Sequence, residues 1–356
     1  MTTIGLWSAW CIAAVAVAAV LTRRLIAWTA ERGVVDVPNS RSSHVRHTPR
    51  GGGIAIVAVV AAAAAASVVL RPQGGLRMLG CLVPALVVAG VSWLDDLHSL
   101  RNRTRLAAQL AAAVAATAVL GPVSSVDLGA WGVLRFGAAA WPLTILWIVG
   151  LANAFNFMDG IDGIAGITAL AAGGGVAAAA AALGSGPVAL TAAALAGAAL
   201  GFLTSNWQPA RIFMGDVGSA FCGFLLAVLP LALPSDCVPV VLPVVALAVW
   251  PFVFDTAFTI LRRARRGENV FQAHRSHLYQ RLVIAGWAHR HVACLYGGMA
   301  ACGAAVALAG VCDPALRGAA EPVAAAIAVV EAVALLATVA VAERRPVTAP
   351  LRVHQP

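Results

Sequence analysis

The carboxylates of this chain are few, and several stand where chemistry could use them. The sequence has 15 acidic residues in 356. Five of them lie at or just past the ends of apolar segments, namely Asp95, Asp96, Asp159, Asp162 and Asp216. Hard divalent cations such as Mg²⁺ prefer carboxylate, water and phosphate oxygens. These acids therefore indicate a shared site for a metal ion or a phosphate-bearing ligand.

The adjacent pair Asp95 and Asp96 ends an apolar segment. Neighbouring residues of a helix point about 100° apart, so the two carboxylates cannot face one ligand from the same direction. One would bind metal or act as a nucleophile while the other orients it. The alternative is a solvated helix end, paired with Arg101, Arg103 or Arg105.

Residues 153–166, NAFNFMDGIDGIAG, place two Asn, two Asp and three Gly between strongly apolar segments. If this stretch is helical, Asn156, Asp159 and Asp162 share one face because they are three residues apart. The alternative is an acidic first turn of the next helix, which suits the helix dipole. That alternative explains one Asp but not the whole set, so we expect a functional role.

Two more segments carry polar residues between apolar ones. Asn206 precedes Asp216, which stands between two glycines, and a helix cap by Asp216 or Ser219 is the alternative interpretation. In the second segment, His274 and His277 could share a helical face with Arg275 between them. Imidazole and guanidinium groups suit a phosphate, whereas zinc normally needs more His or Cys ligands. The alternative for this second segment is a solvated loop.

Residues 36–56, DVPNSRSSHVRHTPRGGGIAI, combine turn residues with Arg41, His44 and three glycines before an apolar segment. This composition is typical of an anion-binding loop, although it does not match the P-loop pattern. A flexible basic linker is the alternative. The seven Cys have no metal-ligand spacing and are interpreted as small buried hydrophobes.

The elements that position these residues must be membrane helices. Hydrophobic residues form 61% of the chain and charged residues 11%, with a mean hydropathy of +0.87. Several apolar runs reach the ~20 residues that cross a bilayer. We predict an all-α polytopic membrane protein, a single domain over 1–356, with about eleven spans near 4–22, 52–70, 79–94, 106–120, 142–155, 164–183, 188–205, 218–233, 239–261, 291–312 and 322–341.

The distribution of arginine predicts the orientation of these spans. All 24 basic residues are Arg, and 20 of them fall in the loops on one side and the C-terminal tail. The positive-inside rule makes that side cytoplasmic, with the N-terminus outside and the polar clusters inside. The first span is followed by TRR, which is the reverse of a signal peptide's charge order, so we expect it to be retained. The formal charge of +9 then reflects topology and attraction to anionic lipid or substrate, without nucleic acid.

In chain order, these motifs resemble those of the polyprenyl-phosphate N-acetylhexosamine-1-phosphate transferases of glycosyltransferase family 4, relatives of phospho-N-acetylmuramoyl-pentapeptide transferase. The matching stretches lie between residues 36 and 282 and include DDLHSLRNRTRLAAQL, NAFNFMDGIDGIAG, NWQPARIFMGDVGS, PFVFDTAF and HRSHLYQRL. As an ordered set they are highly specific and cover most of the chain.

The resemblance implies transfer of a sugar 1-phosphate from a UDP-N-acetyl sugar to undecaprenyl phosphate, with release of UMP. This takes place at the cytoplasmic face of the bacterial inner membrane, with Mg²⁺, or Mn²⁺ as a substitute. It assigns catalysis to Asp95, Asp96 and His277, and the metal to Asp216. It assigns substrate binding to Asn156, Asp159, Asp162, Asn206, His274, Arg275, His44 and Arg41. The implied partners are the donor, the lipid acceptor and the bilayer. A second copy of the chain, in a homodimer, is a further alternative.

Two departures predict the branch. Residues 274–277 read HRSH where many relatives have adjacent His residues, and the loop with His44 lacks the Lys of the muramoyl-pentapeptide branch. Both favour the branch that starts O-antigen or similar lipopolysaccharide glycans, with GlcNAc, FucNAc or QuiNAc donors. Competing readings are a muramoyl-pentapeptide-type transferase, a lipid flippase or transporter, and a scaffold. Transporters tend to place polar groups near the bilayer midplane, often with internal repeats, which this sequence does not suggest.

Overall fold

The computed structural model describes residues 3–38, 47–70, 75–127, 131–270, 272 and 274–344, and these residues are almost entirely helical. This confirms the predicted all-α membrane class. Thirteen α-helices follow in order: α1 Thr3–Glu31, α2 Gly53–Leu70, α3 Gly75–His98, α4 Asn102–Leu120, α5 Ala140–Met158, α6 Ile164–Ala182, α7 Gly186–Asn206, α8 Asp216–Val228, α9 Val238–Ala248, α10 Trp250–Arg265, α11 Leu278–Ile284, α12 His289–Cys312 and α13 Pro314–Arg344.

Two short antiparallel strand pairs interrupt the helices, and neither was predicted. Strand β1, Val35–Asp36, pairs with β2, Thr48–Pro49. Strand β3, Ser125–Asp127, pairs with β4, Val133–Arg135. The first pair brings the segment before α2 next to the end of α1.

Length and composition mark at least seven of the eleven predicted spans as membrane crossings among the described residues. Seven helices are long and apolar enough to cross a membrane, namely α1, α3, α5, α6, α7, α12 and α13. The pair α9 and α10 adds an eighth if it is counted as one broken span, and α2 and α8 are shorter apolar helices. The span predicted at 106–120 falls on α4, which carries arginines in its first turn and belongs to neither group.

The predicted span at 239–261 is not a straight helix. Helices α9 and α10 meet at an angle of 65°. Pro251 lies in the first turn of α10, where its ring and missing N–H prevent a continuous helix from running through. The bend therefore separates an apolar half-span from a helix whose end is rich in arginine.

The helices pack through small residues. Helix α7 is mostly buried and packs against α1, α2 and α6. A Cβ atom added at Gly201 of α7 would collide with the carbonyl oxygen of Val15 in α1. Small residues allow such close approach between membrane helices. Helix α8 is buried on every side from Val217 to Val228, so the position of its first residue, Asp216, is well defined.

The polar clusters lie at one end of this bundle. Helices α3, α5, α7 and α10 end there, whereas α4, α6, α8 and α12 begin there, as the contacts between these ends show. Direct contacts confirm the meeting of two distant segments, since Arg105 bonds both Asp95 and Asp216. At the other end, Arg77 donates hydrogen bonds to backbone carbonyls at Leu120, Leu231, Ala232 and Leu233.

Candidate active site

The carboxylate of Asp96, at the end of α3, receives the first two amides of α8. The Asp216 N–H lies 3.2 Å from Oδ1 of Asp96, and the Val217 N–H lies 3.0 Å from Oδ2. The first N–H groups of a helix lack partners within the helix and favour a negative charge. The cap residue of α8 is Gly215, and no side chain within α8 caps it, so the cap predicted as an alternative for Asp216 or Ser219 is wrong. Asp96 supplies that charge from a different helix.

Asp95 and Asp216 share one guanidinium group. Nη1 of Arg105 lies 2.6 Å from Oδ2 of Asp95 and 2.9 Å from Oδ2 of Asp216. The other oxygen of Asp95 accepts a hydrogen bond of 2.6 Å from the backbone N–H of Leu100. The sequence offered arginine pairing and a shared acidic site as alternatives, but the structure contains both. The end of α3 and the start of α8 thus form one acidic cluster, bridged by a cation from α4.

A second guanidinium group touches the same cluster from the segment before α2. Arg50 donates a hydrogen bond to the carbonyl oxygen of Asp96. Its own backbone N–H donates to Val34 next to the β1–β2 pair. Its Nε atom is buried and has no partner in the described part of the chain. Arg105 was one of the three arginines predicted to pair with this helix end, whereas no specific role was predicted for Arg50, because an arginine in a basic loop carries no specific signal.

The three glycines before α2 hold the start of α8 through the main chain. The N–H groups of Gly52 and Gly53 donate to Phe213 and Met214 at 2.9 and 2.8 Å, and Phe213 donates to Pro49 at 2.8 Å. A Cβ atom at Gly53 would collide with the Cα of Gly218 in α8. This motif therefore has a packing function here. The predicted substrate ligands of the preceding loop, Arg41 and His44, lie outside the described residues.

The NAFNFMDGIDGIAG stretch is not one helix, so the prediction of a shared helical face for Asn156, Asp159 and Asp162 is wrong. Helix α5 ends at Met158, and Asp159 caps its C-terminus before a loop that leads to α6. The glycines after each Asp break the helix because they favour turn conformations. Asn156 still reaches α8, since its amide donates to Ser219 at 3.1 Å.

Asp159 nevertheless belongs to the acidic cluster. Burial raises the pKa of this carboxyl well above its usual value, and the negative charges of Asp216, Asp96 and Asp162 raise it further. The side chain itself is half-buried. Four carboxylates from three parts of the chain thus lie close enough to affect one another, so the cluster favours a bound cation.

Asp162 and Asn206 bind the backbone of neighbouring loops. Asn206 accepts from the Gly163 N–H and donates to the Ile212 carbonyl, both at 2.9 Å. Asp162 accepts from the Ala210 N–H at 3.1 Å, and its other oxygen lies 3.4 Å from Nδ1 of His289. Their substrate-binding role stays a prediction, since these contacts show only that they position the loops. His289, to which the sequence analysis assigned no role, is part of this arrangement.

The histidine segment forms the other half of the site. Helix α11 begins at Leu278 with His277 as its cap residue, so the prediction that His274 and His277 share a helical face is wrong. Their rings are nevertheless adjacent, with centroids 4.9 Å apart. Burial, with smaller contributions from the nearby His277 and Arg263, lowers the pKa of His274 to about 4. His274 is therefore neutral at physiological pH, and Arg275 lies half-buried beside it.

Arginines at the end of α10 hold this segment in place. Arg262 donates to the Ser276 carbonyl at 2.7 Å. Arg263 is buried and donates to the carbonyls of Asn269 and Gln272, while its Nε pairs with Glu268 at 2.8 Å. These two cations support the loop through hydrogen bonds.

The two halves of the site meet at the end of α5. The ring of His277 stacks on Phe157 with centroids 6.3 Å apart, and the hydroxyl of Tyr279 donates to the Phe157 carbonyl at 3.1 Å. A Cβ atom at Gly160 would collide with that hydroxyl, so only glycine fits. The histidine segment therefore packs directly on the loop that carries Asp159.

The donor atoms suit a divalent cation, although the protein alone does not complete a metal site. Within the described ranges, no group of three or more His, Cys, Asp or Glu side chains is arranged to hold a metal ion. Mg²⁺ usually takes one or two carboxylates and completes its shell with water and substrate phosphates. The carboxylates of Asp95 and Asp216 fit this requirement, because they already attract one cationic group between them. The metal role of Asp216 stays a prediction.

The fold and this polar end define a multi-pass membrane protein with a combined acidic and imidazole site. Residues 78–233 match the family described as glycosyl transferase family 4. A probable undecaprenyl-phosphate N-acetylglucosaminyl 1-phosphate transferase of Bacillus subtilis is 34% identical over 271 residues, which cover 72% of each chain. The decaprenyl-phosphate N-acetylglucosaminephosphotransferase of Mycobacterium tuberculosis is 33% identical over 311 residues, which cover 77% of this chain and 75% of the relative.

A phospho-N-acetylmuramoyl-pentapeptide-transferase of Heliobacterium modesticaldum is 32% identical over 259 residues, which cover 67% of this chain and 76% of the relative. The chain therefore belongs to glycosyl transferase family 4, as its motifs predicted. The relatives include both N-acetylglucosamine 1-phosphate transferases and a muramoyl-pentapeptide transferase, so the O-antigen assignment stays a prediction.

Proposed function

We propose that this protein transfers an N-acetylhexosamine 1-phosphate from a UDP-sugar to undecaprenyl phosphate and releases UMP. The proposal is supported by the activities for which the relatives are named and by one observation above all. Acids separated by 120 residues in sequence, Asp96 and Asp216, are in direct contact at the end of an apolar bundle. Such a site can receive a water-soluble nucleotide from one side and a lipid phosphate from the other.

The reaction exchanges one phosphoanhydride for another. An oxygen of the lipid phosphate attacks the phosphorus that carries the sugar, and the bond to UMP breaks. Phosphoryl transfer requires alignment and neutralisation of charge more than covalent chemistry by the protein. Asp95 and Asp96 would prepare the lipid phosphate, or one of them would attack first in a two-step route.

Mg²⁺ is the proposed cofactor, with Mn²⁺ as an alternative. Asp216 would hold it together with donor phosphate oxygens, and the bound ion would neutralise charge on the diphosphate. Arg105 now occupies part of the space between the acids, with its side chain about one-third exposed. In the proposed complex this arginine would move aside for the metal ion, and it would then be available to a phosphate.

The histidine half would bind the donor. His274, Arg275 and His277 offer imidazole and guanidinium groups that suit the donor phosphates and the departing UMP. The loops that carry Asn156, Asp159, Asp162 and Asn206 would shape the nucleotide pocket. Arg41 and His44 would add basic groups from the preceding segment.

The finer assignment is a GlcNAc donor, or a 6-deoxy amino sugar such as FucNAc or QuiNAc, in the initiation of O-antigen or a similar glycan. The names of the relatives from Bacillus and Mycobacterium favour GlcNAc. The protein would lie in the bacterial inner membrane with its N-terminus outside and the site facing the cytoplasm. A muramoyl-pentapeptide donor is the second candidate, favoured by the relative from Heliobacterium.

The test is UMP release by the purified full-length chain in lipid nanodiscs. UDP-GlcNAc, UDP-FucNAc, UDP-QuiNAc and UDP-MurNAc-pentapeptide are each offered with undecaprenyl phosphate and Mg²⁺. We expect UMP from one class of donor, with full dependence on the lipid and loss of activity with EDTA. A flippase or a scaffold would give no UMP with any donor, and that result would overturn the proposal.

A further inference from the structure

A fully buried carboxylate lies directly behind the histidine segment. Asp255 belongs to α10, one turn beyond the bend at Val249 and Trp250, and its side chain is 0% exposed. Burying a charge is costly unless hydrogen bonds compensate it. The only ion-pair partner of Asp255 among the described residues is His277. The sequence analysis matched this Asp to a motif but assigned it no function.

Both oxygens of Asp255 are saturated by hydrogen bonds from other elements. Oδ1 accepts from the Leu278 N–H at 2.8 Å and lies 3.2 Å from Nδ1 of His277. Oδ2 accepts from the Tyr279 N–H at 3.0 Å and from the Tyr296 hydroxyl at 2.7 Å. One carboxylate thus joins α10, the start of α11 and α12 around the imidazole of His277.

This arrangement determines which nitrogen of His277 is available. An ionised carboxylate only accepts hydrogen bonds, so the contact with Asp255 favours the tautomer in which Nδ1 carries the proton and donates it. Nε2 is then the nitrogen left for a ligand. The ring is also stacked between Phe157 and Tyr279, with centroid separations of 6.3 and 5.8 Å. Its side chain is 5% exposed, so little rotation is open to it.

We propose that Asp255 is a positioning residue, which fixes the tautomer and orientation of His277 so that Nε2 faces the donor phosphates. This inference rests on the proposed function, because it takes the ligand of His277 to be the nucleotide-sugar diphosphate. Asp255 does not touch the substrate itself. It acts on the reaction through His277, while the N–H groups of Leu278 and Tyr279 hold the carboxylate in place.

The first experiment compares Asp255→Asn with a matched control, Tyr296→Phe, in the UMP-release assay. Both variants remove buried hydrogen bonding at the same carboxylate, but Tyr296 contacts only the oxygen that does not face His277. Losing a charge-assisted hydrogen bond predicts a fall in kcat/KM for the donor of about 10-fold for Asp255→Asn, no larger than the loss for His277→Ala. The KM for undecaprenyl phosphate should change less than about 2-fold, and Tyr296→Phe should change either KM less than about 3-fold.

A merely structural role would give a different pattern. It would lower the active fraction of enzyme, and thus kcat, without changing either KM. Equal effects of Asp255→Asn and Tyr296→Phe on the donor KM would also overturn the proposal. Wild-type activity in the same assay separates these outcomes from failure of the proposed function, which would abolish UMP release before any substitution.

A double-mutant cycle tests whether Asp255 acts through His277. Because coupled residues are not additive, Asp255→Asn should cost less than about 3-fold in an enzyme that already carries His277→Ala. A full additional loss would contradict the proposal.

If Asp255→Asn fails to fold, the variant His277→Gln tests the same proposal. Glutamine places a nitrogen near the Nε2 position but lacks the donor that faces Asp255. We expect donor kcat/KM close to that of His277→Ala, and near-normal kcat/KM would overturn the proposal.

Discussion

The acidic half and the histidine half of the site are supported in different ways. In the acidic half, the side chains proposed for chemistry also hold the protein together: Asp96 caps α8, and Asp95 joins Asp216 through Arg105. In the histidine half, the side chain proposed to bind the donor, His277, is supported by a separate, fully buried residue, Asp255.

This difference determines how mutations should be interpreted. Where one carboxylate both supports the fold and takes part in the proposed chemistry, a variant that loses activity does not show which of the two roles was lost. Where support and chemistry lie on different residues, each can be altered alone.

The largest effect is expected for Asp216→Asn. The carboxylate of Asp216 pairs with Arg105, and its backbone N–H donates a hydrogen bond to Asp96. The side chain of Asp216 therefore does not cap α8. The variant should therefore insert and fold normally but lose UMP release by at least about 100-fold, since a charge-stabilising group is lost. Asp236→Asn, an exposed acid at the other end of the bundle, is the matched control and should keep full activity. Near-normal turnover of Asp216→Asn would remove this residue from the site.

Asp96→Asn should damage both activity and stability. An amide has one accepting oxygen, so one of the two α8 amides loses its acceptor, at a cost of about 1–3 kcal/mol. We expect a lower apparent Tm in a scanning fluorimetry experiment, together with a severe loss of UMP release. An unchanged Tm would show that Asp96 does not support α8, and the contrast between the two halves would fail.

His277→Ala should affect the donor and leave the fold nearly intact. Asp255 keeps its hydrogen bonds from Leu278, Tyr279 and Tyr296 in this variant. The KM for the UDP-sugar should rise about 10-fold, as expected for one lost hydrogen bond to a charged group. Separate titrations of donor and acceptor measure this change, and an unchanged donor KM would refute a binding role for His277.

The smallest effect concerns pH. Because the pKa of His274 is lowered from 6.5 to about 4 in the folded protein, the unfolded chain binds more protons between these values. This contribution to stability is fully present above pH 6.5 and is lost as the pH falls toward 4. The drop in apparent Tm between pH 7.5 and pH 5 should be smaller for His274→Gln than for the wild type. An equal drop in both proteins would contradict the buried, neutral state of His274.

Much of the helical framework follows from the sequence, because apolar runs of membrane length are unambiguous. A helix lies at each of the eleven predicted spans, but length and hydropathy together do not make each one a crossing. The exceptions have local causes, such as Pro251 at the bend and the arginines at the start of α4. The mean hydropathy of a whole span detects neither a proline at a bend nor arginines just before the apolar run.

The sequence predicted the residues of the site better than it predicted their arrangement in space. Residue type and chain order identified Asp95, Asp96 and Asp216, because acids at span ends are rare and costly. The helical spacing assumed for Asp159 and Asp162 was wrong, since glycine turns override periodicity. Supporting contacts such as those of Asp255 could not be read from one sequence, because they join residues 22 to 41 positions apart.

The glycine contact between α2 and α8 also limits how the enzyme can be engineered. Replacing glycine by alanine is a common route to greater thermal stability, since it restricts the unfolded chain. At Gly53 an added methyl group would collide with Gly218 and push apart the helix starts beside Asp216. A programme that seeks a heat-resistant variant should therefore leave this pair untouched and direct such changes to Gly90 or Gly150, where an added methyl meets open space.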